Sequence, residues 1–159
     1  MDKQTVRWKG EDQKQWYATV GIDGKTPCIF ELGYELAGER LALAKMLHPQ
    51  FKAVTAKRTK INPQREKALA PGEELDYQWD TYSDDPMSHK ENVQEANQQF
   101  DTTKMDVSTH GNVTTVTFDG LTLGIFHGGC RFNFFNGSNL IRIEAVASTD
   151  EDGVAYLYH

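Results

Sequence analysis

Four planar polar side chains and one aromatic ring fall close together in the last third of the chain: Arg131, Asn133, Arg142, Glu144 and Phe135, with His127 just ahead of them. Guanidinium, carboxamide and carboxylate groups beside an aromatic ring are the lining that sugar hydroxyls and sugar ring faces require. These six residues are the carbohydrate-binding candidates, with the hydroxyls of Thr115, Thr117 and Thr122 nearby. The competing reading is structural: a solvated or inter-sheet polar face in which Arg131 forms a cross-strand ion pair with Glu144 and Asn133 meets Arg142.

Other chemistries find less support. The histidines, His48, His89, His110, His127 and His159, show no i, i+4 pair and no zinc-ligand spacing, so neither a metal nor a cofactor is expected. No nucleophile elbow, phosphate-binding loop or dinucleotide glycine pattern occurs, and His127-Gly128-Gly129 reads as a hairpin tip rather than an oxyanion loop. Asp76, Asp80, Asp84, Asp85, Asp119 and Glu144 could supply the paired carboxylates of glycoside hydrolysis, but their spacing singles out no pair. The catalytic residues therefore stay unassigned. Asn112-Val-Thr and Asn136-Gly-Ser match the glycosylation acceptor pattern, which carries no weight without a secretory signal.

The candidate residues sit in a stretch, Asn112 to Tyr158, where β-branched and aromatic runs alternate with turn sequences. An antiparallel meander follows from that alternation. Closing a hairpin on Asp119-Gly120 would set Phe118 opposite Leu121, Val116 opposite Leu123 and Thr114 opposite Ile125. Closing another on residues 136–139 sets Phe134 opposite Ile141, Phe132 opposite Ile143 and Cys130 opposite Ala145, gathering an apolar face. The opposite face then carries Arg131, Asn133, Phe135, Arg142 and Glu144. A three-residue loop at 127–129 breaks this parity, so an irregularity is expected between Phe126 and Gly129, where glycine accepts a bulge.

Ahead of the meander the pattern is also mostly β. Residues 5–9 form a first strand, and QWYATVGI and TPCIFELGY flank an Asp23-Gly24-Lys25 turn, with Pro27 at a strand start. Residues 35–47 carry Leu36, Leu41, Ala44 and Leu47 in a composition that favours helix, with an irregular edge strand as the competing reading. A strand is expected over 51–57, a polar loop over 62–72, a strand over 73–82 and a turn over 82–87. The Ser88-His-Lys-Glu91 capping pattern opens a short polar helix over 89–100, and Lys104 to Thr109 begins the next strand.

The chain has 159 residues, the size of one domain, and no clear internal boundary, so a single domain over 1–159 is expected. Its 17 Lys and Arg against 23 Asp and Glu give a net charge of -6, and the one basic group (Lys52, Lys57, Arg58, Lys60, Arg65, Lys67) lacks stacking aromatics. Nucleic acid is not an expected partner. Neither is a membrane, because no apolar run approaches spanning length and the hydrophilic start is no signal peptide. Cys28 and Cys130, far apart in apolar runs, are expected as buried free thiols rather than a bridge. The final VAYLYH ends inside an apolar strand, from which a missing C-terminal domain of the same chain is expected, with the last strand continuing into it.

Together, the β-rich order, the segment VTFDGLTLGIFHGGCRFNFFNGSNLIRIEAVASTDEDGVAYLY and that last strand resemble the front β-sandwich domain of multidomain bacterial carbohydrate-active enzymes, of the galactose-mutarotase-like supersandwich type. The fold expected is a mostly β, antiparallel sandwich with one or two short helices. The resemblance implies an accessory or scaffold domain of a glycoside hydrolase or lyase, with carbohydrate as partner and a periplasmic or secreted location. It assigns no catalytic residue. Two alternatives stay open: a free-standing carbohydrate-binding module with an exposed aromatic platform drawn from Trp8, Trp16, Trp79 or Phe135, and a closed barrel carrying a small apolar ligand.

Overall fold

A computed structural model describes residues 3–58 and 93–158. All regular structure among these residues is strand, and the chain divides into two compact units, residues 1–51 with 97–149 and residues 52–96 with 150–159. The fold is antiparallel and all-β, with two sheets packed as a sandwich in the first unit.

The first sheet runs β1 (Gln4–Lys9), β2 (Gln15–Asp23), β3 (Thr26–Leu36), β4 (Glu39–Leu47), each strand beside its sequence neighbour. The β2–β3 hairpin closes as expected on Gly24 and Lys25, with Asp23 opposite Thr26 and Pro27 near the strand start, opposite Ile22. The helix expected over 35–47 is absent. Leu36 and Glu39 pair around a two-residue turn at Ala37 and Gly38, both at positive φ (52° and 87°), the geometry that returns a strand on itself. Eleven residues of β3 offer a hydrogen-bonding edge that β4 satisfies, and this outweighs the helical preference of Ala, Leu, Glu and Lys. As an edge strand β4 leaves Leu41, Leu43, Met46 and Leu47 exposed.

The second sheet is built from β7 (Gln99–Phe100), β8 (Met105–His110), β9 (Val113–Leu123), β10 (Phe126–Phe135) and β11 (Ile141–Ser148). Strand β9 lies between β10 and a lane shared by β7 and β8, and β11 closes the other edge. Asp119-Gly120 does not turn the chain, because β9 runs straight through it and the hairpin closes instead on Gly124 and Ile125. Here two residues of β9, Asp119 and Gly120, stand opposite one of β10, Gly129. The extra residue shifts the alternation by one, so Val116, Phe118, Leu121 and Leu123 all face the core. The irregularity expected near Phe126 to Gly129 is therefore found at Gly128 to Cys130, as a bulge inside a strand and not as a hairpin tip. The last hairpin follows the expected register residue for residue, Phe134 opposite Ile141 through Cys130 opposite Ala145.

Facing side chains of the two sheets make the core: Val6, Trp8, Ala18, Val20 and Ile29 from the first, and Val116, Phe118, Cys130, Phe132 and Phe134 from the second. The rings of Trp8 and Phe134 lie 5.0 Å apart across the interface, as do Phe118 and Phe132 within the second sheet. Burial of each Phe contributes about 1.5–3 kcal/mol. The Trp8 indole N–H, which would be costly to bury alone, donates to the carbonyl of Ser138 at 2.9 Å, and Gly137 N–H donates to the carbonyl of Lys9 at 2.6 Å. The loop of the last hairpin is thereby tied to β1.

In the second unit the sheet order is β12 (Val154–Tyr158), β5 (Lys52–Lys57), β6 (Val93–Asn97). The last strand does find a partner within this chain: β12 pairs antiparallel with β5, Val154 opposite Lys57 through Tyr158 opposite Ala53. Ala53 and Ala56 are buried, and Lys52 pairs with Glu95 at 2.6 Å. The helix expected over 89–100 is replaced, where described, by β6 and β7. The expected polar loop, strand and turn over 62–87 and the cap at Ser88 lie outside the described residues.

Candidate functional site

Register alone decides which side chains share the outer face of the second sheet, since pairing residues point the same way. One row across β8, β9, β10 and β11 reads Asp106, Thr117, Arg131, Glu144, and the next reads Ser108, Thr115, Asn133, Arg142. A third row holds His110, Val113 and Phe135. Strands about 4.8 Å apart and same-face residues about 7 Å apart along each strand set Arg131, Asn133, Arg142 and Glu144 at the corners of one small patch. Phe135 extends it along β10. His127 belongs to the same face by alternation but lies four residues from Arg131, beyond Gly129, where its Nδ1 is 3.3 Å from Thr122 Oγ1. Five of the six candidates thus come together, and His127 stands apart.

The contacts within the patch differ from those expected. Arg131 faces Glu144 in register, yet the ion pair runs along β11, from Arg142 Nε to Glu144 Oε2 at 2.9 Å. The Arg142 guanidinium also lies 5.9 Å from the centre of the Phe135 ring. Asn133 bonds across to β9 instead of to Arg142: the Thr115 hydroxyl donates to its Oδ1 at 2.8 Å. Asn133 is only 4% exposed although it lies on the outer face, and its Nδ2 has no hydrogen-bond partner among the described residues. Arg131 is exposed and takes no carboxylate partner among the described residues. Asp106, its nearest acidic neighbour on the β8 side, is held by Lys104 at 3.1 Å.

Charge also acts through the sheet. Burial, and secondarily the Glu144 carboxylate, push the Cys130 thiol up to about 12, which keeps it protonated and inert. Cys28 is a free buried thiol as well, raised by burial first and by Asp23 next. At the bulge, burial alone would raise the Asp119 carboxyl, but the N–H groups of Lys104 and Thr103 (2.9 and 2.8 Å) and the Thr103 hydroxyl (2.9 Å) outweigh it and hold it below the ordinary range. That carboxylate fastens the 101–104 segment joining β7 to β8, and so fixes where β8 presents Asp106, Ser108 and His110.

Asp106, Ser108 and His110 were not among the sequence candidates. The signal for them is present: the alternation in KMDVSTH and the His110-Gly-Asn-Val113 turn would have carried the face one strand further. Of the aromatic residues considered for a platform, Trp8 is buried, Trp16 and Phe135 are half-buried, and Trp79 lies outside the described residues. Among the described residues both sheets of the first unit are open-edged and its interior is filled by side chains, which is not the closed, hollow barrel a carrier of apolar ligands needs.

Among the described residues no cluster of three or more His, Cys, Asp or Glu could hold a metal ion, and no helix is long and apolar enough to cross a membrane. What the fold defines is an antiparallel β-sandwich with polar side chains on the outer face of its second sheet. No family model, curated protein or solved structure matches the chain.

Proposed function

We propose that this chain is an accessory β-sandwich of a polysaccharide-processing enzyme, galactose-mutarotase-like in architecture, and that it contacts carbohydrate through the outer face of its second sheet. One observation carries the reading: Arg131, Asn133, Arg142 and Glu144 share one patch of that face, with the half-buried Phe135 ring beside it. Amide, guanidinium, carboxylate and hydroxyl groups at such spacing match a pyranose, whose hydroxyls both donate and accept, while a ring such as Phe135 suits its C–H face.

A patch spread over β10 and β11, with Thr115 and Thr117 of β9 beside it, suits a chain lying across the strands, and this supports a binding or scaffold role. A free-standing binding module would use the same face, so the two roles differ only in what accompanies the chain. The test is a glycan-array screen of the isolated chain, repeated with Arg142→Ala and Phe135→Ala. Binding to a polysaccharide fragment that both substitutions weaken is the expected outcome. Wild-type protein that binds no glycan refutes the carbohydrate reading.

A further inference from the structure

We infer that Asn136-Gly137, at the tip of the β10–β11 hairpin, is a site of spontaneous deamidation whose rate is set by a backbone clasp on Lys9. It is the one Asn-Gly pair in the sequence. Glycine has no side chain to hinder its amide nitrogen, so in an Asn-Gly pair that nitrogen readily attacks the preceding carboxamide. The Gly137 nitrogen bonds Asn136 Cγ, its proton passes to solvent base, and the side-chain nitrogen leaves as ammonia. Water then opens the succinimide ring to aspartate or isoaspartate. Both residues are exposed, so water and base reach the turn.

Both reacting groups are held, and by the same residue. Asn136 Oδ1 accepts from the Lys9 N–H at 2.9 Å, and the Gly137 N–H donates to the Lys9 carbonyl at 2.6 Å. The proton that has to leave is thus shared with an acceptor, and the carboxamide that has to turn onto the nitrogen is fixed by a donor. Two further bonds hold the loop on either side of the pair: Asn136 N–H to the Asn112 carbonyl at 2.7 Å, and the Trp8 indole N–H to the Ser138 carbonyl at 2.9 Å. The Trp8 ring is only 4% exposed and lies 5.0 Å from that of Phe134, which anchors the clasp in the core. Asn136 therefore reacts from the opened loop. Isoaspartate lengthens the backbone by one methylene, so the product no longer fits the clasp it left.

The test incubates the full chain at mildly alkaline pH and follows deamidation at Asn136 by peptide mass mapping, in native buffer and in guanidinium at the same pH. The native rate is expected to be about ten-fold or more below the denatured one. Lys9→Pro deletes the N–H that holds the carboxamide, at the end of an edge strand where proline is tolerated, and should raise the native rate about three-fold or more. Trp8→Phe keeps a ring in the core, loses the bond to Ser138 and should act in the same direction. Lys9→Ala retains the backbone donor and should match wild type. Each rate is measured below the variant's own thermal midpoint, which separates opening of the loop from global unfolding, and the wild-type comparison stands even if a variant does not fold. Native and denatured rates that agree, or folded Lys9→Pro and Trp8→Phe proteins that deamidate at the wild-type rate, overturn the inference.

Discussion

The Thr115 hydroxyl donates to the Asn133 carboxamide oxygen at 2.8 Å across β9 and β10, and the amide nitrogen on the other side of that group is enclosed without an acceptor among the described residues. An unmade bond at a buried donor costs about 1–3 kcal/mol. Replacing Asn133 with Leu, close in shape and without polar atoms, is therefore expected to leave folding stability unchanged or raised by up to about 1 kcal/mol, because the unmade bond disappears. Thr115 is half-buried, so water can take up its freed hydroxyl. The same substitution removes glycan binding. Urea denaturation beside a binding assay checks both; a loss of 2 kcal/mol or more, on the order of that for a broken buried network, would show Asn133 to be structural.

Asp119 offers a pH-dependent prediction. Its folded carboxyl is held below the ordinary value of about 3.9. The stability it contributes is complete above that value and is lost as pH falls through the lower folded one. Asp119→Ala should cost about 1–3 kcal/mol near neutral pH, through loss of charge-assisted bonds to Thr103 and Lys104. The gap between wild type and variant should narrow as denaturation is repeated at progressively more acid pH. A gap that stays constant across that range would mean the carboxylate is not what fastens the segment.

Gly120 sits at φ +74°, where a side chain is strained, and a Cβ there would meet the carbonyl of Asp101. Gly120→Ala should cost about 1–3 kcal/mol, read as a lowered thermal midpoint. Gly111, at φ +59° with open space around it, isolates the backbone term from the steric one. Gly111→Ala should therefore be the milder change of the two. Equal effects would contradict the crowding at the bulge.

The two thiols should be silent in the folded chain. Burial raises both, Cys130 to about 12, against about 8.5 for an ordinary thiol. A disulfide-exchange reagent at mildly alkaline pH is expected to label neither in native protein and both in denaturant. Rapid labelling of either in the native state would contradict the packing of the core around Cys28 and Cys130.

How far the sequence carried the fold depended on whether a strand has one covered face. In β10 the apolar set Cys130, Phe132 and Phe134 alternates strictly, and a four-residue turn to β11 pins the register, so every pair from Cys130–Ala145 to Phe134–Ile141 was legible. Strand β4 is exposed along nearly its whole length, so no buried face stamps a two-residue period on it, and its composition spoke for helix. Gly38, a poor helix former at φ 87°, belongs to the turn that starts the strand. At Asp119-Gly120 a turn-forming pair was real but served a bulge, because a positive φ suits both. The candidate face was legible as a set of residues. Its contacts were not, since alternation gives the side of the sheet but not which partner a long side chain chooses: Glu144 took Arg142 on its own strand rather than Arg131 across from it.

The carbohydrate reading stands or falls on whether a glycan arrives at the outer face around Asn133. Its side-chain amide resonances can be followed by nuclear magnetic resonance while an oligosaccharide that the array identifies is titrated into labelled protein. The account predicts that these resonances shift with saturation, together with backbone signals of Arg131, Phe135 and Arg142 on the same face. Shifts confined to the β1–β4 sheet, with the Asn133 amide unmoved at saturation, would contradict it.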